Sequence, residues 1–160
     1  MITESVLHNG VKFICDTVEN TLTCSVGFFF SNGSRDETVS TYGFAHFLEH
    51  MLFKGTSNRS AYDIAREIDR VGGSINAFTD KEITCYYCTL PAAHAELAVE
   101  VLSDMISHPT LSEDDITKEK IVVVNEMRAS EDSPEELSYQ YYLNKLWQSH
   151  PLSRKIAGPL

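Results

Sequence analysis

The stretch "GFAHFLEHMLFKGT", Gly43 to Thr56, decides how the rest of the chain is read. Phe44, Phe47, Leu48, Met51, Leu52 and Phe53 make it one of the most apolar parts of the sequence, yet His46, Glu49 and His50 stand in its middle. The pattern predicts a helix from near Tyr42 to just before Gly55. On a helix, positions 46, 49 and 50 fall within about one third of a turn of each other. His46 and His50, four apart, then aim at one point, and two neutral imidazoles at that spacing are good zinc ligands. Glu49 lies beside them, where it can reach a water. The order H-x-x-E-H is the reversal of H-E-x-x-H and belongs with the catalytic zinc patterns. The bland alternative is a pair of satisfied core histidines with Glu49 in solvent. It fits less well, because an unpaired buried carboxylate costs several kcal/mol and the apolar neighbours leave this helix little exposed surface.

Outward from this helix the chain reads as α+β. "GVKFICDT" and "LTCSVGFFFSNGS" read as strands, the second apolar enough to be buried on both faces and closed by Asn32-Gly33-Ser34. A second helix is signalled by a capping box at Ser60 and Asp63, a stripe through Ile64, Ala65, Ile68 and Val71, and a stop at Gly72-Gly73. "SINAFT" and "ITCYYCTL" form a hairpin around Asp80-Lys81. A third helix runs from about Pro91 to His108, a fourth from near Ser112 to about Ser130, and a last helical pattern from Pro134 to Gln148. Strands, helices, a hairpin and more helices exclude regular βαβ winding. Two strand pairs make a small sheet for so many helices, and "RKIAGPL" supplies no closing element. The expectation is one zinc-binding domain over residues 1–160, forming the N-terminal part of something larger.

A catalytic zinc site has three protein ligands and a water, so a third ligand is needed. In "DDITKEKIVVVNEMRASED" a stripe passes through Ile116, Glu119, Val123, Glu126 and Ser130. Glu119 and Glu126 share a face among apolar neighbours, and either one suits the metal. Glu113, Asp114, Glu131 and Asp132 read as a solvated edge, and His8, His94, His108 and His150 share no face.

Composition narrows the partners. The chain has 13 Lys and Arg against 23 Asp and Glu, a net charge of −10. That excludes nucleic acid and anionic membranes; it suits basic substrates, although solubility alone accounts for it. No apolar run is long enough to cross a membrane, and "MITESVLHNGVKF" has neither signal-peptide nor transit-peptide character. The expected location is cytoplasmic. Sequons at Asn32 and Asn58 mean little without a secretory signal. Among Cys15, Cys24, Cys85 and Cys88, "CYYC" imitates half a metal site. On a strand, residues three apart face opposite ways, so Cys85 and Cys88 are buried structural thiols. A structural zinc site, which usually holds four protein ligands, mostly Cys, is a weak reading here, because these cysteines lie elsewhere.

"GFAHFLEHMLFKGT", "GGSINAFTDKEITCYYCTL" and "EKIVVVNEM" together resemble the insulinase/pitrilysin family of zinc peptidases, and within it the processing-peptidase-like bacterial branch. The likeness runs from "LHNGVKF" to "HPLSRKIAG". It implies a LuxS/mitochondrial-processing-peptidase-like metallohydrolase fold, an antiparallel-containing mixed sheet covered by helices, here incomplete. It implies that His46, His50 and Glu126 hold Zn2+, that Glu49 is the catalytic base, and that Glu119 is a supporting carboxylate. It places Asn76 and Ala77 on a strand beside the site, where an extended peptide substrate adds as another strand. Asn125 stands where close relatives often carry another acid. The family's members are far longer, with two halves closing on the peptide, so a second half or partner subunit is expected. An unfinished edge also invites self-association. The activity implied is a zinc metalloendopeptidase. The alternative is a zinc- or peptide-binding domain without turnover when separated from its second half.

Overall fold

At the centre of the main sheet runs β5 (Thr84–Pro91), flanked by β3 (Thr23–Phe30) and β4 (Ser74–Thr79) in the order β3-β5-β4. The computed structural model describes residues 1–159. Both pairings are antiparallel, with Val26 and Ile75 opposite Cys88 on either side. No parallel pair occurs among the described residues. β4 and β5 are joined by a turn in which Asp80 N–H donates to the Ile83 carbonyl at 2.8 Å.

Three helices pack on one face of this sheet. α2 (Ala61–Asp69) starts at Ser60, whose hydroxyl accepts from Asp63 N–H while Asp63 returns a bond to Ser60 N–H. It sends Ile64 and Ile68 into the core. α3 (Ala95–Ser107) adds Ala98, Val101, Leu102 and Met105, and the sheet adds Tyr86, Cys88 and Leu90. Gly73 lets helix and sheet meet: a Cβ there would lie 2.9 Å from both Ile68 Cγ2 and Leu90 Cβ. The third helix is shorter at its start than its pattern predicts, because a 3-10 turn at Ala92–His94 follows Pro91.

The second strand of the sequence reading is not buried on both faces. β3 is a sheet edge, and Phe29 is 68% exposed. Phe29 and Phe78 both stand opposite Cys85. They screen it, so Cys85 and Cys88 are each buried, on opposite faces, and burial raises both thiol pKa values. The first strand, β2 (Lys12–Asp16), pairs with β1 (Ile2–Val6), an element absent from the sequence reading, in a separate hairpin. β1 is exposed throughout, so no inward face marks it in the sequence.

α1 (Phe44–Leu52) packs between β4 and α4 (Glu113–Asp132), and α5 (Pro134–Trp147) follows α4 after a break at Ser133-Pro134. Ser112 and Ser133 cap α4 and α5. The loop after α1 is fastened to α3 through Asp104, which is 7% exposed. Asp104 accepts from Thr56 Oγ1 at 2.7 Å, Asn58 Nδ2 at 2.6 Å and Arg59 Nη1 at 2.9 Å, and His108 Nδ1 stands 3.2 Å away. Burial pushes its pKa up, but the bonds from Thr56, Asn58 and Arg59 outweigh that and hold it down at about 2. Arg59 also pairs with Glu67 and Glu100. No helix among the described residues is long and apolar enough to cross a membrane.

Candidate metal centre

α1 begins at Gly43, where φ is +81°, a value that side-chain-bearing residues rarely adopt. Its free N–H groups are capped from a distance: Glu37 accepts from Gly43 N–H at 2.9 Å and from Ala45 N–H at 2.8 Å. A carboxylate there also meets the positive end of the helix dipole. Arg154 donates to the Glu37 carbonyl, and its guanidinium lies 4.5 Å over the Tyr42 ring. The segment around Ala157 therefore crosses the start of α1, so close that a Cβ on Gly43 would lie 2.4 Å from the Ala157 carbonyl oxygen.

One turn along α1, His46 and His50 turn toward α4, with ring centroids 4.7 Å apart. Glu126 answers both: its Oε1 is 3.6 Å from His46 Nε2 and its Oε2 is 3.3 Å from His50 Nε2. One ligand atom from each of these three residues lies within 4.8 Å of the other two. Tetrahedral bonds of about 2.0–2.1 Å place ligand atoms about 3.3–3.4 Å apart. The nitrogen–oxygen separations found are close to that, and two imidazoles with one carboxylate are a zinc donor set. The residues present fit the ion. Glu126 is half exposed at the mouth of a cavity of about 530 Å3 that His46, Thr79, Ser130 and Gln140 also line.

Glu119 plays a different part. It is 4% exposed, and its Oε1 receives His50 Nδ1 at 2.9 Å while its Oε2 receives Lys54 Nζ at 2.5 Å. Burial pushes the Glu119 carboxyl up, but the bonds from Lys54 and His50 outweigh it and hold the pKa below its ordinary value. The stripe on α4 leaves Glu119 and Glu126 equivalent. The crossing of α1 over α4 separates them: Glu126 faces both Nε2 atoms and Glu119 faces Nδ1 of His50.

Glu49 lies outside the three-donor cluster and turns toward β4, where Thr79 Oγ1 donates to its Oε2 at 2.5 Å. The Tyr86 hydroxyl is driven well above its ordinary pKa, first by burial and then by the Glu49 charge. Asn76 and Ala77 sit on β4 opposite Tyr87 and Tyr86. β4 is a sheet edge, and Ala77 N–H bonds to the side chain of Asn76 at 2.9 Å. Thr79, Lys54 and Glu37 are absent from the sequence reading. Lys54 had a signal, lying four residues after His50 on the same face. Glu37 had none, since it reaches α1 across a loop.

A family model described as "Insulinase (Peptidase family M16)" matches residues 12–160. The chain is 40% identical over 158 residues to an uncharacterized zinc protease, YmxG, of Bacillus subtilis, covering 99% of this chain and 39% of that protein. It is 39% identical to the mitochondrial-processing peptidase subunit beta of Bos taurus, covering 96% of this chain and 31% of that one. A crystal structure of a protease from Helicobacter pylori superposes with a TM-score of 0.93 at 30% identity, over 99% of this chain and 39% of that one. The chain thus spans about two fifths or less of these relatives.

Proposed function

The chain belongs to the insulinase family of peptidases, family M16, and from that premise we propose that it carries the zinc-binding catalytic centre of a metalloendopeptidase acting on extended peptides. The observation that carries this reading is the meeting of His46, His50 and Glu126, from two helices, within 4.8 Å. These three hold the ion, and Glu119 orients His50. When bound, zinc supplies a Lewis acid that brings the pKa of water toward neutrality and polarises a carbonyl.

Glu49 is the general base. It takes a proton from the attacking water and delivers it to the leaving amine. Thr79 fixes one of its oxygens and leaves the other for this exchange. The peptide lies along β4, where Asn76 and Ala77 offer an open edge, so main-chain bonds align its carbonyl with the site. More than half of each relative's length lies outside this chain. That supports a second half or partner subunit that grips the substrate, and it favours a second reading for the chain alone: zinc binding with little turnover.

The test is Glu49→Gln, assayed on an unstructured basic peptide with the second half supplied. One zinc per chain is expected to remain, while cleavage falls by about 10²–10⁴-fold. Turnover within a few-fold of the unchanged protein refutes the role of Glu49. Full zinc affinity in His46→Ala refutes the site.

A further inference from the structure

His46, His50 and Lys54 recur every four residues, so they line one face of α1 and of the turn that ends it. Across from them, α4 presents Glu126 and Glu119, seven residues and about two turns apart. The contacts form a ladder: His46 meets Glu126, His50 meets both acids, and Lys54 meets only Glu119. We propose that Lys54 is a positioning residue of the metal centre: by occupying Glu119 Oε2 it turns Oε1 onto His50 Nδ1, and so fixes the His50 ring with Nε2 toward Glu126. The proposal rests on the reading of His50 as a metal ligand.

The physical argument concerns donors and acceptors. An ionised carboxylate only accepts hydrogen bonds. His50 stands between two carboxylates, Glu119 Oε1 at 2.9 Å from Nδ1 and Glu126 Oε2 at 3.3 Å from Nε2; the shorter contact, with the buried carboxylate, draws the proton of a neutral ring to Nδ1 and leaves the lone pair on Nε2. Glu119 is buried and cannot turn to water for a second partner. Without Lys54, its oxygens compete for the one remaining donor and the carboxylate plane is no longer set. Lys54 itself springs from fixed backbone. Its N–H bonds to the Met51 carbonyl at 3.1 Å, and Thr110 N–H bonds to the carbonyl of the next residue, Gly55, at 3.1 Å. Gly55 has φ +128°, a backbone conformation that side-chain-bearing residues rarely adopt, and a Cβ there would press on the Arg59 carbonyl oxygen at 3.0 Å.

The test compares the 160-residue chain with Lys54→Met and Lys54→Arg. Nitrogen-15 shifts of the His50 ring, recorded without metal at pH 8, report the tautomer. Chelator competition reports zinc affinity. The unchanged chain is expected to show a protonated Nδ1 and a bare Nε2. Lys54→Met is expected to mix the tautomers and lower zinc affinity by about tenfold or more; Lys54→Arg restores both. Charge alone predicts the opposite, because removing a cation near a dication strengthens its binding. Unchanged tautomers, a rise in affinity for Lys54→Met, or a loss in Lys54→Arg equal to that in Lys54→Met overturns the proposal. Should Lys54→Met fail to fold, Lys54→Leu, which also lacks a donor, carries the same comparison. If His50→Ala binds zinc as well as the unchanged chain, the metal reading falls, and the tautomers of the metal-free chain still decide the role of Lys54.

Discussion

Asp104→Asn isolates the charge of one buried carboxylate while keeping its shape. In the folded chain three donors bring the Asp104 pKa from its ordinary 3.8 to about 2. At about 1.36 kcal/mol per pH unit, that difference is worth roughly 2 kcal/mol. The side chain is 7% exposed, so solvent screens little of it. The sign follows from linkage. A group whose folded pKa lies below its unfolded value stabilises the fold above the unfolded pKa, and that stability is lost as pH falls through the folded pKa. The contribution is therefore complete above about pH 5, mostly lost by pH 2 and gone near pH 1. Urea unfolding of both chains, with chelator present so that no metal contributes, gives the difference directly. Other carboxylates titrate equally in both chains and cancel. The expected gap is about 2 kcal/mol at pH 7, closing between pH 4 and 2. A gap below about 0.5 kcal/mol at pH 7, or one that persists undiminished at pH 2, refutes the reasoning.

Glu126→Gln is expected to weaken zinc binding by more than about a hundredfold, beyond the usual loss for supporting partners, while Glu113→Gln on the exposed side of α4 leaves it unchanged; chelator competition checks both. Gly43→Ala forces a side chain into φ +81° and against the Ala157 carbonyl oxygen. A cost of about 3 kcal/mol follows from strain and clash, a fall in Tm of about 6–12 °C for a chain of this size. A Tm within 2 °C of the unchanged chain would show that the last segment yields freely.

Much of the fold is legible wherever one local rule suffices. The Ser60–Asp63 capping box starts α2, and Gly72-Gly73 ends it, because caps and left-handed turns act within a few residues. β1 escapes because both its faces are exposed and hydrophobic alternation has nothing to report. The apolar run in β3 misleads, since Phe29 screens Cys85 from the outside of the sheet rather than filling an interior. In the candidate metal centre, the spacing of His46, Glu49 and His50 is visible on the chain. Which acid of α4 faces their Nε2 atoms is not, because it depends on where two helices cross. Thr79 and Glu37 reach α1 through tertiary contacts that no sequence window contains.

The strand order carries a kinetic consequence. β4 and β5 close through a short turn, but β3 joins β5 only across a long loop, as the pair of Ser25 and Thr89, 64 residues apart, shows. Local hairpins form in microseconds, whereas distant strands must first meet the entropy of closing the loop between them. The hairpin is thus ready early, and docking of β3 comes late. α1 lies inside the loop which that docking closes, and its partner α4 lies beyond β5. Imidazoles and carboxylate come into register only once α1 has docked between β4 and α4. An ion added to the refolding chain has no complete cage to enter until then. Metal uptake should follow the rate of that docking and be independent of zinc concentration once the ion is in excess.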